Sequence, residues 1–501
     1  MVELSAIIVG AGVSGLCAGI ALRRAGIEDF AILEKADQLG GTWRDNHYPG
    51  AACDIPSHLY SFSFAPNPAW SRAYGGQSEI LAYLARCADA YGLGPHLRFG
   101  TQVESAEYDE PSGTWTVRVR GGAPLVSRAL ILGNGPLHTP AIPDLPGRER
   151  FAGAAFHSSQ WDHRAQLDGK RVAVIGTGAS AIQFVPEIAP RVAKLTVFQR
   201  TPPWILPKSD RPIRRLERWL LAHVPGMHWL RRTALYWMFE SRAIGFILAP
   251  RVNQLAERFA RRHLARSIAD PALRDRLTPS YRLGCKRVLI SNDYYPALTR
   301  DNVELVTDDI AAIEPAGIRT TDGALRELDA IIYGTGFRVA DYLAAMRIVG
   351  VGGAELNEVW RSRIRSYLGI AVSGFPNLFL LFGPNTGLGH NSMIFMIEAQ
   401  ARYAAQAIRA MRRNRLASLE VRSSVEQAFR TELTRKLGRT VWASGCRSWY
   451  LAPDGDVLLW PGFTFDYWRR TRRLDLRDYE VRAIARSIPR ADLTPSSSAA
   501  V

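Results

Sequence analysis

Two glycine turns carry most of the chemistry in this sequence. Gly10-Ala-Gly12-Val-Ser-Gly15 lies between a β-branched run, AIIV (6–9), and a helical pattern that Gly26 stops. In such a turn the first glycine permits the sharp reversal and the second admits a pyrophosphate to the backbone. The third lets helix and strand pack closely, and the helix N-terminus supplies amide donors. Glu34 ends the next strand, FAILEK (30–35), where a carboxylate accepts from ribose hydroxyls. The second turn is Gly176-Thr-Gly178-Ala-Ser180-Ala181, with alanine in the third place. Its following strand, KLTVFQR (194–200), ends in Gln199-Arg200-Thr201 and has no acid. An acid there would repel a 2′-phosphate, whereas an arginine binds one. The second site is therefore expected to take NADP rather than NAD. Two such turns in one chain suggest a flavin held at the first and a nicotinamide visiting the second, because hydride transfer needs the two rings stacked.

Both turns require a strand–turn–helix–strand frame, and so a parallel sheet with right-handed crossovers. The expected fold is α/β, with two Rossmann-like dinucleotide-binding domains and an inserted helical subdomain. The first domain is read as 1–145 and 377–488, with a β-rich excursion over 97–133. The second is read as 146–210 and 286–376. The Pro-rich stretch 136–147 reads as a linker. The insertion, 211–285, is helical, arginine-rich and aromatic. Its rings (Trp219, Trp229, Tyr236, Trp237, Phe239, Phe246, Phe259) are expected mostly in a core. Residues 489–501 read as a disordered tail.

Composition excludes several classes. With 501 residues, 47% of them hydrophobic and 22% charged, the bulk of the chain is globular. Five scattered cysteines without a CxxC pair argue against a disulfide scaffold, a cysteine-based zinc site and a dithiol redox centre. No metal site is expected. The net charge of +16 comes chiefly from arginines spread along the chain, with no basic run interleaved with aromatics, so nucleic acid is not an expected partner. Residues 1–9 read as a strand rather than a leader, and no run nears ~18 uninterrupted apolar residues. A cytoplasmic protein without stable membrane insertion is the expectation.

Two longer motifs resemble those of one family. Gly40-Gly41-Thr42-Trp43, continuing through Tyr48-Pro49-Gly50 to Asp54, resembles the long fingerprint of type I Baeyer–Villiger monooxygenases, which are class B flavoprotein monooxygenases. Phe151-x-Gly153-xxx-His157-xxx-Trp161-Asp162 resembles the same family's shorter signature, with Asp162 in place of the commoner proline. The order of motifs is also the family's, and the resemblance spans about residues 5–480. It implies tightly bound FAD, NADPH as reductant and O2 as co-substrate. It implies a flavin C4a-peroxide that attacks a ketone, which rearranges to an ester or lactone.

By the same match, Gly41, Thr42, Trp43 and Asp54 belong with Gly10, Gly12, Gly15 and Glu34 on the FAD side. Gly176, Gly178, Ser180, Arg200, Thr201, Lys286 and Trp449 belong to the NADP side. Arg287 becomes the flavin-facing arginine and Asp54 the carboxylate that orients it. Phe151, Gly153, His157, Trp161 and Asp162 become a conformational element near the linkers, and Gly334-Thr-Gly336-Phe337 the point where the second domain hands back to the first. The segment 383–400 resembles relatives associated with aryl or bulky ketones. Two other readings use the same motifs: a flavin monooxygenase that oxidises sulfur or nitrogen, and a nucleotide-binding redox module without catalysis.

Overall fold

The computed structural model describes residues 3–339, 343, 345–445, 448, 450–451 and 457–484. Trp449 and the tail 489–501 lie outside the described residues. Two sheets organise the chain. In the first, Glu3–Val9 pairs in parallel with Phe30–Leu33 on one side and Leu125–Leu132 on the other. Leu378–Leu380 joins the far end of Leu125–Leu132, also in parallel. The excursion forms the antiparallel meander Val103–Asp109, Thr114–Val119, Leu125–Leu132. In the second sheet five strands run parallel, in the order Val303–Val306, Lys194–Phe198, Arg171–Ile175, Ala330–Tyr333, Ala154–His157. The central strands of both sheets are continuous apolar runs, and their side chains are buried on both faces, as covered parallel sheets demand. Helix Met393–Asn414 covers one face of the first sheet and packs on Val13–Arg24.

The insertion is helical as expected: Arg215–His223, Met227–Glu240, Asn253–Ser267 and Pro271–Arg276. Asp270 caps the last of these, accepting from the amides of Ala272 and Leu273 just before Pro271 sets the first turn. Among the described residues no helix is long and apolar enough to cross a membrane.

The structure departs from the sequence reading in three places. Strand Arg347–Val349 already pairs with Val103–Asp109 of the first sheet, so the chain returns there before residue 377. A three-residue strand is too short to show a period of two. Of the seven insertion rings only Phe239 and Phe246 are buried; Trp219, Trp229, Trp237 and Phe259 are exposed, and Tyr236 is half-buried. Helical periodicity marks the apolar positions and does not say which face turns inward. Finally, Cys285 is disulfide-bonded, while Cys17, Cys53 and Cys87 are free and buried. Spacing along the chain does not reveal pairs formed across the fold.

Candidate active site

Both glycine turns open onto one cavity of about 1390 Å³. At the first turn the fit is dictated by backbone. A Cβ on Gly15 would stand 1.7 Å from the carbonyl oxygen of Gly10, so only glycine lets helix Val13–Arg24 start against the strand. Gly12 meets Gly41 of the long fingerprint across the same gap, where a Cβ on Gly41 would stand 3.1 Å from the Gly12 Cα. The two bare backbones line the cavity together.

Glu34 ends the second strand and is 5% exposed. Its Oε2 accepts the Ala11 amide at 2.9 Å, and its Oε1 accepts the Ala36 amide and Arg44 Nη1, both at 3.0 Å. Arg44 has no counterpart in the sequence reading. Its signal is the carboxylate itself, since a nearly buried acid requires a charge partner. A cradle of bare backbone beside a fixed carboxylate fits the adenosine and pyrophosphate of a dinucleotide.

The long fingerprint then runs across to the second turn. The Trp43 indole N–H donates to the Tyr60 hydroxyl at 3.0 Å. The Tyr48 hydroxyl donates to Gln183 Oε1 at 2.9 Å, and Gln183 Nε2 donates back to the Ala52 carbonyl at 2.9 Å. Gln183 sits on Ala181–Ile188, the helix that follows the second turn, so this one side chain docks the fingerprint loop there. The sequence reading does not single it out; its signal is a lone amide in the apolar run AIQFV.

That loop ends at Asp54. Arg287 Nε donates to Asp54 Oδ2 at 2.9 Å, and Arg287 Nη2 donates to the same oxygen. The two side chains stay 32% and 26% exposed, and both line the cavity. The Asp54 charge raises the proton affinity of the guanidinium above that of an ordinary arginine, against the opposing effect of burial. Tyr450 lies behind the pair. Burial raises its hydroxyl above the usual tyrosine range, and the Arg287 charge acts in the other direction. Asn391 is another unanticipated lining residue. Its Nδ2 donates at 2.6 Å to Glu240, a buried acid at the end of an insertion helix that also accepts the Thr464 hydroxyl at 2.8 Å.

At the second turn, alanine in the third place is accommodated because Gly334 lies opposite. A Cβ there would stand 3.3 Å from that of Ala181. Gly176, Gly178 and Ser180 line the cavity, as do Arg200, Thr201 and Lys286. The Lys286 ammonium sits 4.8 Å over the Tyr281 ring, and burial and then Arg200 lower its pKa. Among the described residues neither Arg200 nor Lys286 is neutralised by an ion pair. Two unneutralised cations beside a glycine turn suit a phosphate of the visiting nucleotide.

The shorter signature lies off the cavity. Phe151 packs into the core of the second sheet, and a Cβ on Gly153 would stand 2.3 Å from the Asp329 carbonyl oxygen. Trp161 is buried between Phe156 and Phe184, both at 5.3 Å, and reaches Tyr48 of the long fingerprint at 6.5 Å. Asp162 makes a surface turn, accepting the Arg164 amide at 2.9 Å. His157 is fully buried, and burial lowers its pKa. Its Nδ1 accepts the Ser159 amide at 3.2 Å, and its ring meets the edge of Phe337 at 5.5 Å. Phe337 belongs to the segment that leaves the second sheet, and that segment is paired with the one that enters it. The Ala141 amide donates to the Gly336 carbonyl and the Arg338 amide to the Thr139 carbonyl, each at 2.9 Å.

Two dinucleotide cradles sharing one cavity, with a carboxylate-held arginine between them, define a two-nucleotide oxidoreductase. A family model described as pyridine nucleotide-disulphide oxidoreductase matches residues 7–225. A Baeyer-Villiger monooxygenase of Pseudomonas aeruginosa is 48% identical over 95% of this chain and 90% of its own length. Among solved structures, an oxidized steroid monooxygenase bound to NADP is 31% identical with a TM-score of 0.87, over 96% of this chain and all of that one. OTEMO in complex with FAD and NADP is 28% identical with a TM-score of 0.86, over 95% of this chain and 99% of that one. The chain belongs to the Baeyer–Villiger monooxygenase family.

Proposed function

We propose that this protein is an FAD- and NADPH-dependent monooxygenase that inserts one oxygen atom of O2 beside the carbonyl of a bulky hydrophobic or aryl ketone, giving an ester or lactone. The observation that carries the reading is Arg287, held by Asp54 and exposed into the cavity that both glycine turns share. FAD, reduced by NADPH, supplies the activation of O2. The chain's own residues do the rest. The bare backbones at Gly10, Gly12 and Gly41 admit the flavin nucleotide, with Gly15 closing helix on strand and Glu34 turned to the ribose. Thr42 and Trp43 border its path. Gly176, Gly178 and Ser180 receive the second pyrophosphate, while Arg200, Thr201 and Lys286 hold the 2′-phosphate.

Arg287 keeps its proton throughout. It transfers none, and it stabilises the negative charge that gathers on the carbonyl oxygen as the ketone is attacked. Phe151, Gly153, His157, Trp161 and Asp162 act on conformation: they lie outside the cavity, against the crossing segments and Tyr48. Leu388, Met393, Ile394 and Ile397 give the cavity an apolar wall, which favours a hydrophobic ketone. The first sheet and its helices form the FAD domain, the second sheet the NADP domain, and 211–285 the insertion between them.

The test is mass spectrometry of products formed with NADPH and ¹⁸O₂ over cyclic, aryl and steroid-like ketones and one thioether. An ester or lactone carrying one labelled oxygen is expected. Labelled sulfoxide alone, with every ketone returned unchanged, would transfer the protein to the sulfur- and nitrogen-oxidising class.

A further inference from the structure

The helical insertion wears its polarity inside out. On helix Met227–Glu240 the charged side chains at Arg232 and Glu240 face the protein. The Arg232 guanidinium donates to the carbonyls of His58 and Ser61, each at 2.9 Å, and Glu240 is 1% exposed among its Asn391 and Thr464 donors. The solvent side carries Trp229, Leu230, Ala234, Trp237 and Met238, with no charged residue among them. Trp229 is 69% exposed, Leu230 57% and Trp237 54%. These positions recur at helical spacing and share a face. A helix that meets only water has the opposite arrangement, with charges outward.

The apolar face continues onto neighbouring elements. The Trp237 ring lies 6.1 Å from that of Phe465, itself exposed, and the preceding helix Arg215–His223 presents Trp219. An exposed patch this rich in tryptophan marks an interaction surface. Its surroundings say what kind. Residues 211–268 hold twelve arginines, no lysine and three acids. Of those acids Glu240 is buried and Glu217 is paired with Arg211. Arg214 and Arg215 are exposed beside Trp219, and Arg251, Arg258 and Arg262 are exposed farther along. Tryptophan settles at the headgroup level of a bilayer, and arginine reaches its phosphates with a planar fork while its stem stays among apolar groups. An apolar face ringed by cations and nearly free of exposed acid is complementary to an anionic lipid surface.

We propose that the outer face of helices Arg215–His223 and Met227–Glu240 docks this protein peripherally on an anionic phospholipid bilayer, with Trp219, Trp229 and Trp237 at the headgroups and the neighbouring arginines on the phosphates. The contact lies in the plane of the interface and crosses nothing. It is independent of the reaction assigned above.

The test uses the full-length holoenzyme with two kinds of vesicle, phosphatidylcholine alone and phosphatidylcholine with about one-third phosphatidylglycerol. Co-sedimentation with the anionic vesicles and a blue shift of tryptophan emission are expected, and added salt should weaken both. The double variant Trp229→Ser/Trp237→Ser should lose vesicle binding by about tenfold or more, since two interfacial side chains are removed. Its NADPH consumption without vesicles should stay that of the parent, which also reports its folding. The variant Arg214→Gln/Arg215→Gln should bind the anionic vesicles less and lose much of the salt dependence. Equal sedimentation with both kinds of vesicle, or a tryptophan variant that binds as the parent does, would overturn the proposal. So would a parent that ignores vesicles and forms a dimer that the tryptophan variant loses, which would give the face to a second copy of the chain.

Discussion

Asp54→Ala tests the reasoning about the reacting centre most directly. The substitution removes the one carboxylate oxygen that takes both Arg287 donors, at Nε and Nη2. A hydrogen bond to a charged group contributes about 1.5–3 kcal/mol. The two bonds share an oxygen and are not additive, so about 3 kcal/mol of positioning is at stake. If that loss falls wholly on the oxygen-transfer step, the rate drops about 10²-fold. Arg287 remains protonated without its partner, so the defect is one of placement and raising or lowering the pH should not rescue it. The assay must separate three readings: FAD content, flavin reduction by NADPH in the absence of O2, and ester formed per NADPH consumed. FAD content should hold, because Asp54 takes no part in the first glycine turn, and reduction should change little. Ester yield should collapse, with about one hydrogen peroxide formed from O2 for each NADPH oxidised to NADP+. Asp54→Glu should recover part of the yield. Ester at the parent rate would refute the argument. A loss of reduction in step with ester would move the pair from oxygen transfer to nicotinamide binding.

Arg200→Ala should lower kcat/KM for NADPH by about 10- to 100-fold, the value of a charge-assisted contact, and leave NADH nearly unchanged. Equal losses with both nucleotides would remove Arg200 from the 2′-phosphate. Gly15→Ala places a methyl 1.7 Å from a backbone oxygen that cannot yield without moving the turn, so the protein should purify with little bound flavin and a lowered Tm. Normal flavin absorbance would contradict the close approach. His58 supplies the pH dependence. It is 2% exposed, and burial lowers its pKa to about 4, with His228 adding to the effect. Below pH 6.5 the unfolded chain takes up a proton that the native chain declines until about pH 4. Stability should therefore fall as pH drops through that window, by about 3 kcal/mol at its lower end, and His58→Gln should flatten the profile of Tm against pH between 6.5 and 4. An unchanged slope in that variant would assign the acid lability elsewhere.

The glycine turns were legible because their requirement is local: steric demands within six residues leave no substitute for Gly15, and the acid or arginine at the following strand end lies a fixed distance on. The reacting pair was not legible in this way. Asp54 and Arg287 lie 233 residues apart, and only the resemblance of their flanking motifs joined them. Gln183 escaped because it is a lone polar residue in an apolar run, and Glu240 because it stands in the polar triplet Glu240-Ser241-Arg242, which reads as a solvated helix end; in both cases only the fold shows a buried partner. The insertion misled for a related reason. Aromatics occur on both sides of helix Met227–Glu240, with Trp229 and Trp237 outside and Phe239 inside, so its period could locate the helix but not its inner face. The return of the chain at Arg347–Val349 rests on three residues, fewer than any pattern needs.

The paired crossing segments have a mechanical consequence. The chain passes from the first sheet to the second at 133–153 and leaves the second again at 334–339, and the two passages are tied to each other by the amides of Ala141 and Arg338. A single strand of backbone would swivel freely. Two strands bonded side by side behave as a ribbon, which bends readily across its flat and resists both twist and shear. Any opening between the sheets would thereby follow one axis, the two cradles parting along a single track.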